Sequence, residues 1–109
     1  MSGTGAERAK ENIVPKDVIV NIIAGNPPRV SPDPVYISKK RHEQVVWACK
    51  ENFKITMNQP SPFVSTHFTH TTDHSGIPIL TPDEGREMYF KYSVEVGGHV
   101  TDPGVIVNP

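Results

Sequence analysis

The stretch MYFKYSVEV, residues 88–96, decides the fold class of this chain. Met88, Phe90 and Tyr92 begin a series of apolar side chains at every second position, and polar residues such as Lys91 stand between them. Because side chains alternate between the two faces of a strand, this period of two predicts a strand with one buried and one wet face. We therefore expect an all-β domain.

The neighbouring segments predict further strands. Residues 18–23 are β-branched at nearly every position and precede a Gly- and Pro-rich run, which predicts a central strand covered on both faces. On the other side, Gly97-Gly98 predicts a turn, and residues 105–107 a last buried strand. Six or seven short strands would suffice for two packed sheets. The pattern thus predicts a two-sheet Greek-key sandwich.

The middle of the chain alternates as well. Residues 44–49 and 53–57 predict two strands, the second with one wet face, and Trp47 is the expected centre of the core. The polar run 38–43 predicts a hairpin tip. Residues 59–82 predict a long excursion with short edge strands, which ends in one helical turn at residues 81–84.

Length and composition limit the domain organisation and the partners. A chain of 109 residues has room for one hydrophobic core, which we assign to residues 13–109, with residues 1–12 as a flexible N-terminal arm. The net charge of −1 argues against nucleic acid as a partner. We find no apolar run long enough for a membrane helix and no signal-peptide pattern, so we expect a soluble protein without a membrane partner.

The order of these segments resembles the cupredoxin family, the plastocyanin and azurin type of sandwich. The resemblance rests on the apolar first strand, the entry Pro32-x-Pro34-Val35-x-Ile37, the segment Val45-Val46-Trp47, the hairpin strand with Tyr89 and Tyr92, and the final Val105-Ile106-Val107. It covers about residues 13–109 and implies a cupredoxin-like β-sandwich. It also implies an exported or periplasmic setting, for which the sequence itself gives no direct support, so the compartment stays open.

The copper ligands of that family are missing from the expected positions. A type 1 copper site needs a thiolate, two imidazoles and usually a weak methionine ligand. The family carries the Cys, one His and the Met between its last two strands, whereas residues 96–103 here contain His99 and neither of the others. The single cysteine, Cys49, lies in a different predicted strand. We therefore expect a copper-free relative.

Three histidines and one carboxylate form the sharpest cluster in the sequence: His67, His70, Asp73 and His74. Imidazole and carboxylate suit Zn²⁺ or Cu²⁺, so these four residues are the candidate metal ligands. On a regular strand, however, His67 would face away from His70 and His74. The alternative is a polar edge strand whose side chains bond to backbone and water. We expect no cofactor, with copper or zinc as the alternative.

Cys49 and a pair of acids are the remaining candidates for chemistry. Cys49 would be a nucleophile if a base such as His42 lay within hydrogen-bond reach, but its apolar neighbours predict a buried, inert thiol. Asp83 and Glu84 follow a proline, and we interpret them as acids in a first helical turn. No residue is assigned a catalytic role.

Aromatic and basic residues offer a recognition surface. Tyr36, Tyr89, Tyr92 and the run Lys39-Lys40-Arg41 are of the types enriched at interfaces, although β-propensity alone also explains tyrosines in strands. The sequence therefore predicts a non-catalytic binding module with an unidentified protein partner. The alternative is a divalent-metal protein, in metal handling or electron transfer, that uses the histidine cluster. The oligomeric state stays open.

Overall fold

A computed structural model describes residues 14–79 and 86–109 of the chain, with His70 described by its backbone alone. The described residues form strands and no helix, which confirms the prediction of an all-β protein. The predicted N-terminal arm and the predicted helical turn at residues 81–84 lie outside the described residues. The strands are β1 (Lys16–Ile23), β2 (Arg29–Ser31), β3 (Val35–Ser38), β4 (Glu43–Met57), β5 (His67–His74), β6 (Met88–Val96), β7 (His99–Thr101) and β8 (Gly104–Asn108).

These eight strands belong to one hydrogen-bonded sheet. Its order is β2-β1-β4-β6-β8-β3, with β5 paired to β4 and β7 paired to β6. The β1–β4 and β3–β8 pairs are parallel, and the other pairs are antiparallel. Because β1 also contacts β3, the sheet curls until it is almost a closed cylinder around one core. No helix among the described residues is long and apolar enough to cross a membrane.

Strand β4 connects the two flanks of this curled sheet. The sequence predicts two strands here, but the structure contains one strand of 15 residues. Its first half pairs with β1 and its second half with β6, and its register with β5 shifts between Ala48 and Phe53. Extra residues on one strand of a pair bend that strand. The irregularity therefore allows one continuous strand to serve both flanks.

Strand β1 differs from the predicted strand covered on both faces. Val20 and Ile22 are buried, but Ile19 and Ile23 are 48% and 60% exposed, so the strand is covered on one face rather than two. A continuous β-branched run is compatible with either arrangement, because β-branched residues favour strands at exposed positions as well. Only the packing of the other strands decides which face is covered.

The predicted hairpin tip at residues 38–43 is also corrected. Residues 39–42 form a turn, with the His42 amide donating to the carbonyl of Lys39 at 3.0 Å. The strands on either side do not pair with each other, because β3 pairs with β8 and β4 pairs with β1. The turn therefore crosses from one flank of the sheet to the other. The strands with which β3 and β4 pair are therefore determined by segments distant in sequence.

An aromatic cluster fills the core, and Trp47 lies at its centre as predicted. Its ring is fully buried and lies 4.8 Å from Phe68, 5.6 Å from Tyr92 and 6.4 Å from Phe63, measured between ring centroids. The indole Nε1–H donates to the Tyr92 hydroxyl at 3.2 Å. Burial raises the pKa of the Tyr92 phenol, because the charged phenolate would lose its hydration. The two polar atoms thus satisfy each other inside an apolar core.

The alternating pattern of β6 is confirmed for most of its length. Phe90, Tyr92 and Val94 are buried, whereas Tyr89 and Lys91 are exposed. Met88, at the first position, is 38% exposed and does not belong to the core. The predicted turn after the strand is present, and Gly97 and Gly98 adopt φ values of 58° and 84°, which residues with a side chain rarely adopt.

Candidate functional site

The four candidate metal ligands all belong to strand β5. This strand pairs with β4 on one side and lies at an edge of the sheet. His67 is opposite Thr56, whereas His74 is opposite Val46, ten residues away along β4. Both imidazoles are exposed. The two histidines therefore lie at opposite ends of the strand.

Asp73 has a structural role at the outer edge of β5. Its carboxylate accepts hydrogen bonds from the amides of Thr69 at 3.0 Å and His74 at 2.9 Å. These two nitrogens are therefore at most about 8 Å apart, half of the roughly 16 Å that five extended residues would span. The strand is bent around the carboxylate, and two donors at its free edge are occupied. Such a cap protects an edge against pairing with another chain.

The described side chains do not assemble a metal site. Among them, no group of three His, Cys, Asp or Glu residues is close enough to share an ion. The ring of His67 interacts through Nδ1 with the hydroxyl of Thr66 at 2.9 Å. His70, described by its backbone alone, is in register with Phe53. Metal binding by His67, His70, Asp73 and His74 stays a prediction of the sequence.

The distance between Cys49 and His42 argues against the hypothesis that Cys49 is a nucleophile with His42 as its base. His42 precedes the first residue of β4 and Cys49 is the seventh residue of that strand, so about 20 Å of extended chain separates them. The imidazole therefore cannot act as a base for this thiol. Cys49 is also half-buried, so the prediction of a fully buried thiol is wrong. Asp83 and Glu84 lie outside the described residues.

Cys49 instead lines a groove that sequence reasoning missed. The groove is open, has a volume of about 1090 Å³ and lies where β4 bends away from β1. Asn21 is in register with Ser31 on one side and Ala48 on the other, and Ala48 is in register with Thr72. This row of small and medium-sized side chains crosses four strands. Its residues are distant in sequence, so no local motif could have revealed it.

The three tyrosines of the predicted recognition surface separate into two groups. Tyr92 is fully buried and belongs to the core, so its assignment to a surface is wrong. Tyr36 and Tyr89 are 54% and 55% exposed. Both point away from the core, because they alternate with the buried residues of β3 and β6.

Tyr36 and Tyr89 lie in one row across three strands. Ile106 on β8 is in register with Tyr36 on β3 and with Tyr89 on β6. We call Tyr36, Ile106 and Tyr89 the tyrosine row. Ile106 is only 8% exposed, so it is almost completely covered although it lies on the outer face. The strands that carry the tyrosines are two strand spacings, or about 10 Å, apart.

Gly104 determines how Tyr89 lies on the sheet. A Cβ atom at position 104 would be 2.5 to 2.6 Å from Cε1, Cζ and the hydroxyl oxygen of Tyr89, far inside van der Waals contact. The phenol ring therefore lies across the glycine backbone instead of standing away from the sheet. Only glycine allows this close approach. The hydroxyl end of the ring is packed against Gly104, and the side chain remains half exposed.

Two cations lie beside the tyrosine row. Lys40 and Arg41 line a shallow groove of about 490 Å³ together with Tyr36 and Asn108. Glu43 also borders this groove, but its Oε1 accepts a hydrogen bond from the Ser38 amide at 2.6 Å. Within the described part of the chain, no carboxylate forms an ion pair with Lys40 or Arg41. The groove therefore combines an aromatic ring with two cations and one carboxylate, which leaves it with a net positive charge.

The tyrosine row and these cations form a continuous outward surface with the chemistry of a binding site. Aromatic rings supply apolar contact at low cost in conformational entropy, and Arg and Lys supply charge. The described residues contribute no nucleophile paired with a base at this surface. Comparison of the chain with family models, curated proteins and solved structures finds no match. The function of the protein must therefore be inferred from this surface itself.

Proposed function

We propose that this protein is a non-catalytic binding module with a cupredoxin-like β-sandwich and no blue-copper centre, and that it binds a macromolecule through the tyrosine row, Lys40 and Arg41. The observation that carries the proposal is the register of Tyr36, Ile106 and Tyr89 on the face opposite the core. Two half-exposed aromatic side chains in one row leave apolar surface in water, and such patches mark interaction sites.

Three features support the sandwich without copper. The sheet wraps around one core, and the long strand β4 contributes to both of its flanks. Residues 96–103, where the resemblance would place the family's cysteine and methionine, contain the Gly97-Gly98 turn and His99 but neither of those ligands. Cys49, the only thiol of the chain, lies on β4 in register with Ile22. A copper thiolate centre would need these groups together.

The position of the surface favours binding over catalysis. The tyrosine row is open and shallow, whereas enzyme sites enclose their substrates in concave pockets that exclude water. The charged residues beside the row, Lys40 and Arg41, are cations on a turn. The phenol of Tyr92 is buried in the core, where no substrate could reach it. The arrangement can orient and hold a partner.

Site-specific cross-linking in the native cell tests this function. A photoreactive p-benzoylphenylalanine at position 36 or 89 replaces one ring by another of similar shape and attacks C–H bonds of any bound molecule. We expect both positions to give the same adduct. Val100 is the matched control, because it is 52% exposed and lies on β7, away from the row. Equal adducts at all three positions, or none at positions 36 and 89, would contradict the proposal.

Metal analysis tests the alternative function. We expect protein purified without an affinity tag to contain no stoichiometric copper or zinc, and the apo protein to bind neither tightly in a titration. Tight binding of one ion per chain that is lost on His70→Ala would instead support metal handling by the histidine cluster.

A further inference from the structure

We infer that the macromolecule bound by the tyrosine row is an acidic polysaccharide built from uronic acids. This inference rests on the proposed function and names its partner. Sugar rings stack on Tyr36 and Tyr89, and the carboxylates of the chain bind Lys40 and Arg41. The shape, spacing and charge of the surface each support this class of partner.

The shape of the surface fits flat rings. Tyr89 lies across Gly104, so its ring extends along the sheet, and the side chain is still 55% exposed to solvent. A pyranose ring presents C–H groups on its faces, and these pack against the electron-rich face of an aromatic ring. Ile106, between the two tyrosines, is only 8% exposed, so it does not obstruct a ligand that crosses the strands. The row therefore forms a shallow platform.

The spacing of the two tyrosines fits an extended sugar chain. The register puts Tyr36 and Tyr89 on strands that are separated only by β8, at about 10 Å. This distance corresponds to the length of two pyranose units in an extended β-1,4-linked chain. Alternate sugars of such a chain can stack on the two rings, and the sugar between them crosses β8.

A protein partner fits this surface less well. Binding hot spots between proteins are aromatic or arginine anchors seated in well-packed pockets, and the tyrosine row offers a platform rather than a pocket. Strand addition at the free edge of β3 is hindered too, because the Ser38 amide already donates to the Glu43 carboxylate. A partner would therefore bind to the outer face of β3, β8 and β6 rather than to the edge of β3.

The charge around the row selects an acidic polysaccharide. Lys40 and Arg41 lie beside Tyr36, and Lys91 is exposed on the same outer face, opposite Gly104. The nearby Arg86 and Glu87 offset each other, and the carboxylate of Glu43 offsets only one of the two cations in the groove, so the region stays net positive. The whole chain carries a net charge of −1, so this positive region is local. The planar guanidinium of Arg41 also matches a carboxylate in two-point hydrogen bonding.

Titration calorimetry with defined polymers tests the inference. We expect the native protein to bind polymannuronate, the β-1,4-linked uronic-acid component of alginate, and to bind its fully methyl-esterified form at least about tenfold more weakly, since esterification removes the charge and keeps the sugar rings. Tyr36→Ala and Tyr89→Ala should each weaken binding about tenfold, whereas Tyr36→Phe and Tyr89→Phe should retain it. The double variant Lys40→Gln/Arg41→Gln should bind more weakly and with less dependence on salt.

Two results would overturn the inference. One is the absence of binding to polymannuronate. The other is binding that polyglutamate matches and that Tyr36→Ala and Tyr89→Ala leave unchanged, because it would reflect charge alone. If cross-linking from positions 36 and 89 captures one protein instead, the polysaccharide is wrong and the binding function stands. If neither position gives an adduct and no polymer binds, both proposals fail. Val100→Ala serves as the control for general effects of exposed substitutions.

Discussion

Tyr92 and Tyr89 are three residues apart on β6, yet one belongs to the aromatic cluster around Trp47 and the other to the tyrosine row. Tyr92 is fully buried with its hydroxyl bonded to the indole of Trp47, whereas Tyr89 is 55% exposed and lies across Gly104. The same side chain thus stabilises the fold on one face of the strand and offers a contact surface on the other. Side chains alternate between the two faces of a strand, so two tyrosines that are three positions apart lie on opposite faces.

The comparison predicts that substitutions in the aromatic cluster change stability, whereas substitutions in the tyrosine row change binding. Buried rings contribute both apolar burial and packing, which together amount to several kcal/mol for a large side chain. An exposed ring loses little when it is truncated, since much of its surface is already in water. Five substitutions or conditions would break or sharpen this contrast.

The largest effect is expected for Trp47→Ala. Removing a fully buried indole that contacts Phe63, Phe68 and Tyr92 leaves a cavity and deprives the Tyr92 hydroxyl of its donor. We expect the free energy of unfolding to fall by about 4 kcal/mol or more. Urea unfolding followed by far-UV circular dichroism would measure it. A loss below about 1 kcal/mol would show that the cluster is not the stabilising centre.

Tyr92→Phe should have the next largest effect. The ring stays, but the Trp47 Nε1–H loses the hydroxyl that accepts its hydrogen bond in the core. An unsatisfied buried donor costs about 1 to 3 kcal/mol, and we expect destabilisation in that range. Chemical unfolding of this variant beside Tyr89→Phe provides the matched control, because the second substitution removes a hydroxyl from an exposed ring. Equal effects of the two would remove the energetic distinction between the regions.

Alkaline pH should act through Tyr92 as well. Burial raises the pKa of the Tyr92 phenol above its ordinary value of about 10, so the folded protein retains this proton more strongly than the unfolded chain. The stability from this group is therefore complete below pH 10 and declines as the pH rises further, by up to about 1.4 kcal/mol per pH unit. The difference in Tm between the wild type and Tyr92→Phe, measured from pH 8 to 11, should shrink above pH 10. A constant difference would argue against the raised pKa.

Gly104→Ala should reveal the contact that positions Tyr89. The new methyl group would collide with the Tyr89 ring, so the ring has to move away from the backbone. We expect a destabilisation of about 1 kcal/mol that largely disappears when Tyr89→Ala is also present. A double-mutant cycle by urea unfolding measures this coupling. Additive effects would show that the ring does not lie across the glycine in solution.

The smallest effect on stability is expected for Tyr36→Ala and Tyr89→Ala. Each ring is about half exposed, and we expect each substitution to change the free energy of unfolding by less than about 1 kcal/mol. Thermal unfolding monitored by circular dichroism checks this. A loss as large as that of Trp47→Ala would mean that the row is part of the core, and a binding defect could then no longer be assigned to the surface.

Local patterns predicted the strands better than they predicted the partners of the strands. The alternation of β6, the burial of Trp47 and the glycine turn after Val96 all follow from short-range rules, and the structure confirms them. The expected hairpin at residues 38–43 and the two-sided burial of β1 failed. Both depend on which distant strand packs alongside, and a single strand's sequence does not encode that choice.

The candidate surface was predictable only in part. Tyr36, Tyr89 and the basic run were singled out by residue type, but so was Tyr92, which the structure places in the core. The period of two within residues 88–96 already assigned Tyr89 and Tyr92 to opposite faces. The period of two could not predict that Ile106, on a strand near the end of the chain, is in register with both exposed tyrosines.

The sequence by itself determined the all-β class, the face that each β6 residue occupies and the central place of Trp47, because alternation and side-chain size are local properties. Only the tertiary structure decided that Tyr36 and Tyr89 share a row, that Asp73 caps the edge of β5 and that Gly104 accommodates a phenol ring. These relations arise from register between strands far apart in the chain. Register is set by the packing of the whole core, which no single segment contains.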